Sequence, residues 1–194
     1  VDVGAGVAID AAGNLNIAAS QFSVTADATA PLVASIERQS PASSPTNASS
    51  VTWRILFTET MVNVDVSGVT VSGTTGTVTN VTNPSGNFWD VTVSGGDMGG
   101  LDGTITLNFA GGQNITDSAG NALTNTVPYG IFQNTYVLDI SAPFLTAFAR
   151  NTPAGEKTNA DTLVFDITFS EAVTNVSADD FDITGTTATG VLAG

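Results

Sequence analysis

The 194-residue chain contains no cysteine and no histidine. Without cysteine it can form neither a disulfide nor a thiolate metal site. Without histidine it lacks the commonest general base and the commonest transition-metal ligand, and no Ser-His-Asp triad can be built within it. Positive charge is scarce: 4 Lys+Arg stand against 18 Asp+Glu, for a net charge of −14. Such a surface repels phosphate backbones and anionic lipid, so neither nucleic acid nor membrane is an expected partner. No run is long and apolar enough to span a bilayer. Val1, Asp2 and Gly4 do not read as the start of a signal peptide, so none is expected in this stretch. The expectation is an internal piece of a longer secreted chain, or a processed product.

What is present is Thr, Ser, Gly, Asn and Val, with apolar residues in alternation. Disordered acidic chains lack that pattern. The length suggests one or two domains.

Comparison of the chain with itself gives the main signal. Pro31 and Pro143 lie 112 positions apart, and the match continues without a gap for about fifty positions. Arg38 falls on Arg150, Pro41 on Pro153, and Thr46-Asn47-Ala48 on Thr158-Asn159-Ala160. Trp53 falls on Phe165, Ile55 on Ile167, Phe57 on Phe169 and Glu59 on Glu171. Asn63-Val64 falls on Asn175-Val176, and Ser72-Gly73-Thr74-Thr75 on Thr184-Gly185-Thr186-Thr187. The N-terminus echoes another part of the unit. Asp10-Ala11-Ala12-Gly13-Asn14 matches Asp117-Ser118-Ala119-Gly120-Asn121, and Asp27-Ala28-Thr29-Ala30-Pro31 matches Asp139-Ile140-Ser141-Ala142-Pro143. Residues 1–29 therefore read as the C-terminal strands of a preceding repeat. Residues 30–141 read as a complete repeat, and residues 142–194 as the N-terminal half of the next.

Val51, Trp53, Ile55 and Phe57 alternate with polar residues, the period of a half-buried strand. Trp89, Val91 and Val93 do the same, as do Ile105, Leu107 and Phe109. Further short strands are expected near residues 32–38, 67–72, 76–82 and 133–139. Turn clusters separate them, at 41–47, 73–76, 83–86, 95–103 and 117–125. No segment has helical spacing. About seven short strands per repeat predict an all-β, antiparallel Greek-key sandwich, with Trp53 as its central core aromatic.

Ala-Pro at the boundary, Phe169-Ser170-Glu171-Ala172-Val173 in mid-repeat and Asp117-Ser118-Ala119-Gly120-Asn121 late in the repeat resemble a known group. They are similar to the bacterial immunoglobulin-like tandem repeats of large surface adhesins. The resemblance covers essentially the whole chain and rests on the order of short motifs within the period. It implies an immunoglobulin-like fold and an extended cell-surface or secreted array, often stiffened by calcium. It implies no particular ligand.

Calcium takes six to eight oxygens from carboxylates, carbonyls, Asn side chains and water. The carboxylates here recur at repeat-locked positions. Glu59 and Glu171 lie just past a strand end. Asp117 with Asn121, and Asp10 with Asn14, lie in the loop before a last strand. Asp27 and Asp139 lie at the boundary before Ala-Pro. Distant strand ends can meet at one pole of a sandwich, where a boundary Asp would join the loop carboxylates and fix the angle between neighbours, a cadherin-like arrangement. Asp10, Asp27, Glu59, Asp117, Asn121, Asp139 and Glu171 are thus the candidate ligands. The plainer reading is turn chemistry for Asp10 and Asp117, since Asx side chains bond nearby N–H groups and Gly supplies positive φ. For Glu59, Glu171, Asp27 and Asp139 it is solvation of a strand end or linker. Asp179, Asp180 and Asp182 cluster in a loop whose counterparts are Ser67, Gly68 and Thr70.

Asp97 and Asp102 share one loop without an aromatic platform, so glycoside hydrolysis has no support. Gly111-Gly112 opens no helix and is no phosphate loop. Phe88 and Trp89 are adjacent, so one must face outward. Asn47, Asn80, Asn114 and Asn175 stand in glycosylation sequons that matter only if the host glycosylates. The leading expectation is a non-enzymatic structural module of an extracellular or cell-surface adhesin or filament, its junctions rigidified by calcium, its partners neighbouring repeats or copies of itself. A second expectation is a glycan- or protein-binding module. A third is a fibre subunit joined head-to-tail by strand complementation between residues 1–29 and 142–194.

Overall fold

A computed structural model describes residues 2–185. Thr186 and Thr187, matched above to Thr74 and Thr75, and the end of the expected half repeat lie outside the described residues. The chain divides into two compact units, Val1–Ile140 and Ser141–Gly194. Both are built of antiparallel strands, and among the described residues no helix is long and apolar enough to cross a membrane.

In the first unit, four strands form one sheet in the order β1 (Val33–Ser40), β2 (Ser50–Phe57), β6 (Phe88–Ser94), β5 (Thr77–Ser85). A second sheet has the order β4 (Val69–Ser72), β7 (Gly103–Phe109), β9 (Thr135–Leu138). Two shorter strands, β3 (Met61–Val62) and β8 (Thr116–Asp117), pair with each other. Alternation decides what each strand buries, because successive side chains point to opposite faces. Val51, Trp53, Ile55 and Phe57 of β2 are all buried, as are Val91 and Val93 of β6, and Ile105 and Leu107 of β7. Together they form one sandwich-like core shared by the two sheets. Each fully buried apolar side chain of this kind contributes roughly 1.5–3 kcal/mol.

Trp53 sits at the centre of that core. Its ring meets Tyr136 edge-on, with centroids 4.9 Å apart and an interplanar angle of 69°. Its indole N–H donates to the Gln133 carbonyl at 3.1 Å. The Tyr136 hydroxyl lies 2.6 Å from the Pro41 carbonyl and 3.0 Å from that of Thr52, so the buried phenol has acceptors on both sides. Burial pushes its pKa up to about 12. Of the adjacent aromatics on β6, Trp89 packs against the core and Phe88 turns outward. The Arg54 guanidinium lies over the Phe88 ring at 5.6 Å and pairs with Asp90 at 2.8 Å.

The segment leading into β9 runs alongside β1 in the same direction. Parallel bridges join Leu32 to Asn125, Ile36 to Phe132 and Thr46 to Leu138. At Gly130 a Cβ would sit 2.7 Å from the Ala34 carbonyl, so only glycine lets the two backbones approach this closely. The chain therefore enters the sandwich at the end where Val33 pairs with Phe57. It leaves near Thr46, beyond the end where Ser40 pairs with Thr52.

The second unit contains the hairpin β10 (Leu145–Thr152) and β11 (Val164–Phe169), with a single 3-10 turn at Ala178–Asp180. Leu145 pairs with Phe169, Phe148 with Ile167 and Thr152 with Val164. This register is that of β1 on β2 displaced by 112 positions, including both register shifts. Asn63 and Asn175 share the left-handed conformation, with φ of 59° and 64°.

The expected strands near 32–38, 67–72, 76–82 and 133–139 appear as β1, β4, β5 and β9. β3 and β8 were not expected, since two residues carry no period.

Candidate metal centre

Asp27, Glu59 and Asp117 come together within the first unit, at the end of the sandwich where the chain reaches β1. One carboxylate oxygen from each lies within 4.8 Å of the others. Three different parts of the chain deliver them. Asp27 belongs to the segment preceding β1, Glu59 to the turn between β2 and β3, and Asp117 ends β8. The pairing of Met61 with Asp117 places the last two side by side.

Asp117 is buried, with 1% of its surface exposed. Its Oδ1 accepts from the N–H groups of Ala119 and Asn121, each at 2.8 Å, and its Oδ2 accepts from the Asn121 amide at 2.8 Å. Gly120, at φ 97°, supplies the left-handed residue this tight turn requires. Burial acts to raise the Asp117 pKa. The hydrogen bonds from Asn121, Gly120 and Ala119 outweigh it and hold the carboxyl below its ordinary value. The same Asn121 amide reaches the Asp27 carbonyl at 3.2 Å, fastening the incoming segment to the loop. Asp27 Oδ1 accepts from the Thr29 N–H at 3.0 Å.

Glu59 moves the other way. Burial, then the charges of Asp117 and Asp27, push its pKa above the ordinary value. No described Lys or Arg joins this group by an ion pair; the one ion pair among the described residues is Arg54–Asp90. Concentrated negative charge, uniformly hard oxygen donors and a Glu penalised for ionising beside its neighbours fit a hard divalent cation. They do not fit a metal that prefers nitrogen or sulfur.

Of the other candidate ligands, Asn121 lies at this site, and Asp10, Asp139 and Glu171 lie elsewhere. Asp10 makes the same turn as Asp117: its Oδ1 accepts from Ala12 and Asn14, and its Oδ2 from the Asn14 amide. Asp10 is exposed, and among the described residues it belongs to no group of three carboxylates. Asn121 acts through its amide N–H groups, as the positioner of Asp117 and Asp27. Asp139 lies where the chain leaves the first unit, its N–H bonded to the Thr46 carbonyl at 3.0 Å. Glu171, in the second unit, borders a shallow depression with Pro143, Leu145 and Phe169. In the acidic loop beyond it, Asp180 accepts from the Ser177 N–H at 2.7 Å and caps the 3-10 turn.

The loop carboxylates set aside above have structural partners. Asp97 accepts from the Thr74 hydroxyl and from the Thr75 N–H, and Asp102 accepts from the Ile140 N–H. The link from Asn121 to the Asp27 backbone had no sequence signal beyond the shared motif. Compared with protein-family models, curated proteins and solved structures, the chain matches none.

Proposed function

We propose that this chain is a structural module of an extracellular or cell-surface array, of the bacterial adhesin kind. Its units are immunoglobulin-like Greek-key sandwiches recurring about every 112 positions. A calcium ion held by Asp27, Glu59 and Asp117 stiffens the point where one unit follows another. The observation that carries this reading is the position of Asp27. It belongs to the segment that precedes β1, yet its carboxylate meets two carboxylates of the sandwich that the strands build. A cation there ties the incoming chain to the sandwich and restricts its direction of entry. Three carboxylates leave part of a six- to eight-oxygen shell to water and carbonyls, as calcium commonly accepts.

The matching registers of β1–β2 and β10–β11 support the repeat. So does the course of the chain, which enters the sandwich at one end and leaves at the other.

Thermal melts in calcium, in magnesium and in chelator test the reading. A ligand that binds only the folded state at a hundredfold excess over Kd adds about 2.7 kcal/mol, and the midpoint rises by several degrees. A calcium-specific rise that Asp27→Asn removes is expected. Identical melts in calcium and chelator would overturn the cation's role.

A further inference from the structure

Asn47-Ala48-Ser49, Asn80-Val81-Thr82 and Asn114-Ile115-Thr116 are the sequons of the first unit, and the fold treats all three alike. The middle residue turns inward: Ile115 is buried, and Ala48 and Val81 pack against the core. The residues that flank it face solvent. Asn47, Asn80 and Asn114 are exposed, as are Ser49 and Thr82, and Thr116 is half-buried. On β5, where successive side chains point to opposite faces, this leaves Asn80 and Thr82 side by side on the outer one.

Among the described residues, none of these three asparagines makes a side-chain hydrogen bond, and neither do Ser49, Thr82 and Thr116. Every other asparagine of the first unit uses its side chain in one. Exposure does not account for the difference, because Asn63, Asn83, Asn108 and Asn125 are exposed too and are still bonded. Asn83 also has a hydroxyl two places on, at Ser85, but Pro84 stands between and disqualifies it as an acceptor. Its amide donates to the Gly86 carbonyl at 2.9 Å. In the first unit, unengaged asparagine therefore follows the sequon and not the surface. The fourth sequon does not share the pattern, because in the second unit Asp180 takes up the Ser177 hydroxyl at 3.1 Å.

We propose that Asn47, Asn80 and Asn114 are sites of N-linked glycosylation. The donor is a sugar activated as a phosphate or diphosphate ester, and a separate glycosyltransferase makes the transfer. The asparagine side-chain nitrogen bonds to the anomeric carbon, and the bond from that carbon to the phosphate oxygen breaks. The phosphate leaves with the electron pair, and the nitrogen gives up one proton. A glycan is bulky and hydrated, so the folded chain must hold its asparagine at the surface with an amide that has no other partner. These three asparagines meet that condition, and the bonded ones do not. The inference does not rest on a bound cation.

Peptide mass spectrometry of the full chain, isolated from the cells that make it, is the test. Peptides that contain Asn47, Asn80 or Asn114 should be heavier by whole sugar residues. Fragmentation should place the sugar on those asparagines and leave Asn83 bare. Thr82→Ala, made in the same cells, keeps Asn80 and should lose its sugar, whereas Thr82→Ser should retain it. Thr82 makes no side-chain bond, so Thr82→Ala should melt cooperatively near the unglycosylated parent, which separates loss of the sequon from loss of the fold. Plain sequence masses at all three positions overturn the proposal. So does sugar found on serine or threonine alone, and so does sugar that stays on Asn80 in Thr82→Ala.

Discussion

Glu59 and Asp117 share one small volume and shift in opposite directions: Asp117 is held below its ordinary pKa and Glu59 above. The difference lies in their donors. Asp117 receives hydrogen bonds from Ala119 and Asn121, whereas Glu59 has burial and two acidic neighbours set against its ionised form.

Glu59→Gln should therefore have effects of opposite sign in two buffers. A group whose folded pKa is raised stabilises the fold below its unfolded pKa, here 4.5, and that contribution is lost as pH rises through the folded value. At neutral pH in chelator the ionised Glu59 is a cost, so the Gln variant should melt higher than the parent, by about 2–4 °C for each kcal/mol recovered. In calcium the ordering should reverse, because a ligand is gone. Paired melts at pH 7 check both signs, and an unchanged ordering contradicts the cation.

Asp10 and Asp117 make the same turn in different surroundings, so Asp→Asn at each should separate turn chemistry from burial. At Asp117 the new amide would face the Asn121 amide, donor against donor, in a buried loop. Thermal circular dichroism should show its midpoint falling by several degrees, and Asp10→Asn should leave it nearly unchanged. In acid the sign is that of a depressed carboxyl. The stability Asp117 contributes is present above pH 3.8 and is lost as pH falls through its folded value.

Tyr136→Phe should cost about 1–2 kcal/mol in denaturant unfolding, because the Pro41 and Thr52 carbonyls lose a buried donor. The parent should also weaken as pH rises from the unfolded value of 10.0 to about 12, since the folded state holds the phenolic proton more tightly. Two pKa units correspond to at most about 2.7 kcal/mol. The Phe variant should lack this alkaline decline.

Trp53→Ala and Phe165→Ala change residues that are counterparts in the two hairpins. The first removes a fully buried ring and should cost about 3–5 kcal/mol. The second removes a half-exposed ring and should cost under about 1 kcal/mol in dilute monomer. Comparable losses would show that β10–β11 is already covered.

Much of this was legible in the sequence wherever a period was long enough to read. β2, β6 and β7 alternate over six or more residues, and their inward faces are those alternation picks. β3 and β8 are two residues each and owe their existence to a pairing partner more than fifty positions away, which no local pattern encodes. For the site, the motif marked Asp117 and Asp10 equally. Burial separates them, and burial is decided by what the rest of the chain packs above the loop. That Glu59, Asp27 and Asp117 share one end follows from strand order, which fixes where β2 finishes and β8 begins.

The parallel course of β1 and the segment before β9 has a mechanical consequence. The sandwich is entered ahead of β1 and left after β9, at opposite ends. Tension applied through the flanking chain therefore pulls the two terminal segments past each other along their length. The bonds of Ile36 with Ile131 and Gln133, and of Thr46 with Val137 and Asp139, are then loaded together in shear instead of being peeled open one at a time. A unit wired this way resists stretching more than one whose terminal bonds open in turn.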